Sequence, residues 1–331
     1  MFAMALISCE NEPVDIPVND FTDVIEVDSR LFQDIERVVE NDLVCIDFRY
    51  NFALTIYDEN MAFSQLLIMN NDFEFSQTLA AIPSNHSISL SFPIKGVLSN
   101  GDVFEINDRI ELQERIEDCV KDEVLEYCNG IWSESDCVWR VISEDPETPV
   151  YNNSFFQIDR AGTYTYFFEG EDYLGNWVFY FIEEELHLNI FIDDNTVVSQ
   201  DWNFDWRVTL IDNDNMVITN DISTFALTRK CNSDTDCNSI VYESCVSDTN
   251  EMIYELGNYE DCLLNFLDYQ QTDPASISYF ETIQDAENNE NMVPNSYITS
   301  SQASFLIARI EQTDTNLIEF VYVKLTGINC E

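Results

Sequence analysis

The chain has 331 residues, 45% apolar and 13% aromatic, which suits two or three domains of ordinary size, each with its own core. It carries 63 Asp and Glu against 14 Lys and Arg, a net charge of -49, and the acids are scattered among apolar residues, so it reads as acid-coated folded modules and not as a disordered acidic tail. Such a surface repels phosphate backbones and anionic headgroups, which argues against nucleic acid and polybasic membrane attachment; it suits a salty medium and would draw divalent cations.

At the amino terminus Met1 to Ile7 is apolar, Ser8 and Cys9 follow, and Glu10-Asn11-Glu12-Pro13 turns abruptly polar. Leu6-Ile7-Ser8-Cys9 resembles the lipobox of bacterial lipoproteins, which implies cleavage before Cys9 and acyl chains on its sulfur and amine. Each buried CH₂ contributes roughly 0.8 kcal/mol, so two or more chains anchor stably in outer-membrane lipid. The apolar run falls short of the ~7–15 residues of a signal peptide and lacks a basic start, so residues 1–9 are expected to be a partial signal peptide whose beginning lies upstream. The competing reading makes 1–9 the first strand of a soluble protein with Cys9 buried. Residues 10–20 read as a tether, with Pro13 and Pro17 discouraging regular structure. Glu10 and Glu12 behind the cysteine resemble the surface-transfer signal of Bacteroidota lipoproteins. No other segment approaches the ~20 apolar residues of a membrane span, so the remainder is expected outside the membrane.

Residues 21–120 form an α+β module with three alike helix starts: Val27-Asp28-Ser29 into Leu31, Ile35 and Val38; Asn70-Asn71-Asp72 into Phe75, Leu79 and Ile82; Asn107-Asp108 into Leu112 and Ile116. Paired strands are expected before the second (Val44–Tyr57 with Phe63–Met69) and the third (Ile88–Leu98 with Val103–Ile106), the latter pair turning at Ser99-Asn100-Gly101-Asp102. Cys45 opens the first strand and Cys119 closes the last helix, a candidate disulfide whose connectivity the spacing leaves open. Residues 121–137 read as a connector with a short helix from Lys121 to Tyr127.

Residues 138–230 change to all-β. Trp139–Glu144, Phe155–Ile158, Thr163–Glu169, Trp177–Ile182, Leu186–Ile192, Trp206–Ile211, Met216–Thr219 and Phe225–Thr228 are short strand signals, separated by turns such as Asp159-Arg160-Ala161-Gly162, Leu174-Gly175-Asn176 and Asp212-Asn213-Asp214-Asn215. That series suits an up-and-down barrel or meander, because closure removes sheet edges. Cys137-Val138-Trp139-Arg140-Val141, Gly175-Asn176-Trp177 and Trp206-Arg207-Val208 resemble the lipocalin-like domain of Bacteroidota lipoproteins. The resemblance implies a small barrel with an apolar interior, with Trp139, Trp177 and Trp206 as candidate interior residues that either fill a core or meet a ligand.

In 231–331, Pro274 to Thr282, Asp285-Ala286, Pro294-Asn295-Ser296-Tyr297 and Phe305 to Ile310 resemble a repeat of very large secreted surface proteins of gliding Bacteroidota. It implies an immunoglobulin-like β-sandwich used as an adhesive spacer, here ending at Cys330-Glu331 where that family expects a further strand.

The cysteines, at 9, 45, 119, 128, 137, 231, 237, 245, 262 and 330, form no CxxC pair, and His86 and His187 are the sole histidines. Disulfides in an oxidising compartment are therefore expected over a zinc site, with one thiol left over once Cys9 is set aside. No GxSxG, HExxH, P-loop or dinucleotide motif is present, and carboxylate pairs arise by chance among so many acids. Asp193-Asp194-Asn195, Asp212 and Asp214, and Asp234 and Asp236 could ligate calcium through oxygen, but Asp and Asn also favour turns for local reasons. The chain is thus expected to be a mainly β, multidomain, non-catalytic outer-membrane lipoprotein that binds or displays at the cell surface. Its partner would be an extracellular ligand or surface protein, it needs no cofactor beyond a possible calcium ion, and the alternatives are a small-ligand carrier or a carbohydrate-active enzyme.

Overall fold

In the computed structural model, which describes residues 21–40, 42–98, 101–143, 150–159, 162–231, 240–269, 275–300, 303–312 and 317–330, short polar residues open the helices of the first part of the chain. Ser29 caps α1 (Arg30–Val39) by accepting from the Phe32 N–H, and Asn71 caps α2 (Asp72–Ala80) by accepting from Glu74. The Asp108 carboxylate accepts from the Glu111 N–H at the start of α3 (Arg109–Trp132). That third helix is one run of 24 residues; the separate short helix expected at Lys121–Tyr127 is its continuation, since nothing between Ile116 and Trp132 breaks the backbone ladder.

The chain divides after Val124 into two compact units. In the first, the strands are β1 (Ile25–Glu26), β2 (Ile46–Arg49), β3 (Phe52–Tyr57), β4 (Phe63–Met69), β5 (Ser87–Leu90), β6 (Ile94–Leu98) and β7 (Val103–Ile106). They form two sheets, β1-β5-β3-β4 and β2-β6-β7. The two long runs read as single strands each divide between sheets: Val44–Tyr57 becomes β2 and β3, and Ile88–Leu98 becomes β5 and β6. Pro93 supplies the physical break in the second, having no N–H for a ladder. Phe32, Ile35, Leu54, Phe75, Ile88, Leu112 and Ile116 meet in one core, and Cys45 is disulfide-bonded to Cys119 beside it.

The second unit opens with the closed barrel: β8 (Cys137–Ser143), β9 (Phe155–Asp159), β10 (Thr163–Phe168), β11 (Glu171–Ile182), β12 (Glu185–Ile192), β13 (Phe204–Leu210), β14 (Asn215–Thr219) and β15 (Thr224–Cys231). Each strand pairs antiparallel with its chain neighbour, and β15 returns to β8, so the eight strands leave no open edge. Cys137 and Cys231 face each other in the register of that closing pair and are disulfide-bonded. The turn expected at Leu174-Gly175-Asn176 lies inside β11; the hairpin turn falls at Glu169 and Gly170, both with positive φ (50 and 85°). Gly175 serves close approach instead, because a side chain there would strike the Tyr164 ring and the Phe191 carbonyl.

After the barrel come β16 (Val241–Cys245), β17 (Met252–Glu255), α5 (Glu260–Phe266), β18 (Ala275–Phe280), α6 (Ile283–Asn288), β19 (Ser296–Thr299), β20 (Ala303–Gln312) and β21 (Ile318–Ile328). They build a sheet β16-β21-β20-β18, in which β16 runs parallel to β21, and a β17-β19 ribbon. Leu306, Ala308 and Ile310 on alternate positions of β20 share a core with Phe266, Tyr254 and, from the outside of the barrel, Val138, Phe155 and Phe167. Ile307 faces the opposite way, onto Phe280 and Ala286. Arg140 of β8 joins the layers: its guanidinium donates to the Phe266 carbonyl (2.9 Å), Asp268 (3.0 Å) and Asn153 (2.8 Å), and stands 5.4 Å over the Phe266 ring. Lys230 pairs with the same Asp268, and Lys324 with Asp172 of β11. Cys245 is disulfide-bonded to Cys330, and Cys262 also carries a disulfide. The described chain is mainly β, and no described helix is long and apolar enough to cross a membrane.

Candidate functional site

A barrel of eight strands has an interior just wide enough either to be filled by side chains or to hold one small ligand, so the lumen is the first place to look for a site. Inward positions of β8, β9, β10 and β13 carry Trp139, Phe156, Tyr166 and Trp206, all fully buried. Two further tryptophans enter from outside the strands. Trp132, the last residue of α3 and 1% exposed, stacks on Trp139 at 5.0 Å and meets Phe179 at 5.7 Å, Phe156 at 6.1 Å and Trp177 at 6.3 Å. Trp202, the last residue of α4 (Val197–Trp202), lies 4.8 Å from Phe225, 5.0 Å from Phe156, 5.2 Å from Tyr166 and 5.5 Å from Trp206. Phe156 touches both, so one continuous aromatic cluster runs through the lumen.

Local hydrogen bonds fix the three strand tryptophans. Trp139 Nε1 donates to the Trp132 carbonyl (3.1 Å), Trp206 Nε1 to the Trp202 carbonyl (3.0 Å) and Trp177 Nε1 to the Thr163 carbonyl (3.2 Å). The α4 turn is held by a capping box in which Thr196 and Ser199 exchange side-chain and backbone bonds. Two phenols are hydrogen-bonded nearby: Tyr166 donates to Ser154 Oγ (2.8 Å), and Tyr151 donates to Asp201 (2.6 Å). Burial holds both phenols above the ordinary tyrosine range, and for Tyr151 the Asp201 carboxylate adds to the effect. Tyr151 and Asp201 border an outer cleft of about 740 Å³ floored by Phe204 and Phe225 and rimmed by Ser223 and Thr224.

The predicted residues therefore fall as follows. Trp139 and Trp206 are wholly buried, and Trp177, half-buried, packs on Trp132 and Phe179. Trp132 and Trp202 were missed: the first sat in what reads as a connector, the second between strand signals, where the Thr196-x-x-Ser199 box was the available clue to a helix. Asp212 accepts from the Asp214 N–H (2.8 Å) and Asn215 Nδ2 (2.9 Å), and Asp214 accepts from Arg229 Nη2 (2.8 Å), so both carboxylates are engaged by their own turn and by an arginine. Asp194 likewise accepts from the Thr196 N–H and hydroxyl ahead of α4. Cys9, Asp234 and Asp236 lie outside the described residues. Two sulfur and carboxylate clusters occur among the described residues, Cys45-Cys119-Glu123 and Glu134-Cys137-Cys231, and both rest on disulfide sulfurs that offer no thiolate. His86 is half-buried beside Asn85 (3.0 Å), while His187 is buried on β12 with Glu185 at 3.9 Å, and the two belong to different units.

No protein-family profile, curated protein or solved structure matches the chain.

Proposed function

We propose that the chain is a non-catalytic display or binding protein of the cell surface, anchored in the outer membrane by acyl chains on Cys9. The observation that carries the non-carrier part of this reading is the lumen filled by Trp132, Trp139, Phe156, Tyr166, Trp202 and Trp206, which leaves a lipocalin-like barrel to act as a rigid body. Disulfides spanning 74, 94 and 85 residues support life in an oxidising compartment, where chains of this acidity stay dispersed. On this reading 231–331 is the immunoglobulin-like spacer, supported by the β16-β21-β20-β18 sheet facing the β17-β19 ribbon across one core. The test is mass spectrometry of the mature protein from membranes of the native host, wild type against Cys9→Ala. A diacylglyceryl and N-acyl adduct on Cys9, lost together with membrane association in the variant, is the expected result; soluble, unmodified protein in both would overturn the anchoring.

A further inference from the structure

A strand at the end of a sheet presents unpaired N–H and C=O groups, and proteins ordinarily blunt such edges with charge or proline. β4 is the last strand of β1-β5-β3-β4, and among the described residues nothing pairs with its far edge. Its sequence, Phe-Ser-Gln-Leu-Leu-Ile-Met, has no charge and no proline in a chain with 63 acidic residues. An irregularity at Ile56 and Tyr57 leaves regular pairing over Gln65 to Met69, long enough to template a short extended segment. Leu66 and Ile68 on its outward face are each 55% exposed. Along the inward side, between β4 and α2, runs a groove of about 590 Å³ whose walls include Ile56, Leu67, Met69, Thr78 and Ile82, with Glu74 at the α2 end.

We propose that this edge captures an extended peptide with apolar side chains at alternate positions and a basic residue, by adding it as a fifth strand whose inward side chains enter the groove. The two-residue period of a strand supplies the alternation: main-chain bonds to β4 give affinity, and the groove reads every second side chain. Charge selects the occupant. Among the described residues of the groove wall Glu74 is the sole Asp, Glu, Lys or Arg, and the chain as a whole carries -49. A cationic segment is therefore attracted, whereas a second copy would bring an equal negative charge to the same edge. The inference deepens the display reading by naming a partner chemistry, but it rests on the first unit alone and is tested without the lipid anchor, so either can fail without the other.

The experiment presents the purified full chain, made soluble by Cys9→Ser, to a displayed library of random heptapeptides. Enriched peptides are expected to alternate apolar residues and to contain Lys or Arg. In fluorescence anisotropy, Glu74→Lys should weaken them about tenfold, close to 1.4 kcal/mol, while Glu74→Gln has a smaller effect. Methylating the peptide amides that bond β4 should abolish binding, and methylating the alternate amides should not. Circular dichroism of both Glu74 variants confirms that they fold. Failure to enrich, or enriched peptides indifferent to backbone methylation, would overturn strand addition; a concentration-dependent dimer abolished by Leu66→Lys would assign the edge to a second copy instead.

Discussion

Replacing Trp132 with alanine tests whether the barrel is a filled body. Trp132 is 1% exposed, and its indole N–H makes no hydrogen bond among the described residues, so truncation forfeits packing and little else. A buried aromatic covers roughly 150–250 Å², worth ~4–6 kcal/mol at about 25 cal/mol per Å². Measured aromatic-to-alanine losses of about 3–5 kcal/mol set the lower part of that range, so a loss of about 4 kcal/mol is expected. For a unit of some 200 residues this lowers the melting temperature by roughly 8–16 °C. All five tryptophans lie after Val124, so indole fluorescence during guanidinium unfolding follows the second unit without interference from the first. The variant should also take up indole or benzene into the space left behind, as dry apolar cavities do, while the wild type does not. A loss below about 1 kcal/mol, or uptake of these probes by the wild type, would refute the filled lumen and revive the carrier reading.

Burial pushes the free Cys128 thiol up to about 11, which leaves roughly one thiolate per thousand at pH 8. Iodoacetamide followed by peptide mapping should therefore label Cys128 at least ~100-fold more slowly in the native chain than in guanidinium, and equal rates would contradict its burial. Because its folded value is raised, its contribution to stability is complete below the unfolded thiol range and is lost as pH climbs through that range toward 11. The Cys137–Cys231 bond closes a separation of 94 residues along the barrel seam, so the double change Cys137→Ala/Cys231→Ala should cost the second unit ~4–5 kcal/mol in denaturant unfolding. Stability equal to wild type under non-reducing conditions would argue that the seam holds without it. With a net charge of -49, moving from ~0.01 M to ~1 M NaCl shortens the screening length from about 30 to about 3 Å and should raise the melting temperature. A flat or falling melting curve against salt would show that self-repulsion is not a significant destabilising force.

The elements that sequence alone determined are those whose signal is local. Ser29, Asn71 and Asp108 mark helix starts because a cap bonds within its own turn, and the eight barrel strands are legible because each holds a short run of apolar and aromatic residues. The Cys45–Cys119 pairing was legible as a possibility for the same reason, as the two cysteines sit at the ends of recognisable elements. What only the tertiary structure decided depends on partners distant along the chain. The runs at Val44–Tyr57 and Ile88–Leu98 divide between two sheets, and Gly175, which has the composition of a turn, is a strand position kept bare for the Tyr164 ring. Above all, the fate of the lumen was invisible: Trp139, Trp177 and Trp206 pointed inward on either reading, and the barrel is filled also by Trp132 and Trp202, which arrive from the helix before β8 and the helix between β12 and β13. Periodicity reports which way a side chain points relative to its own element, and whether the space it points into is occupied is set by residues that no local pattern connects to it.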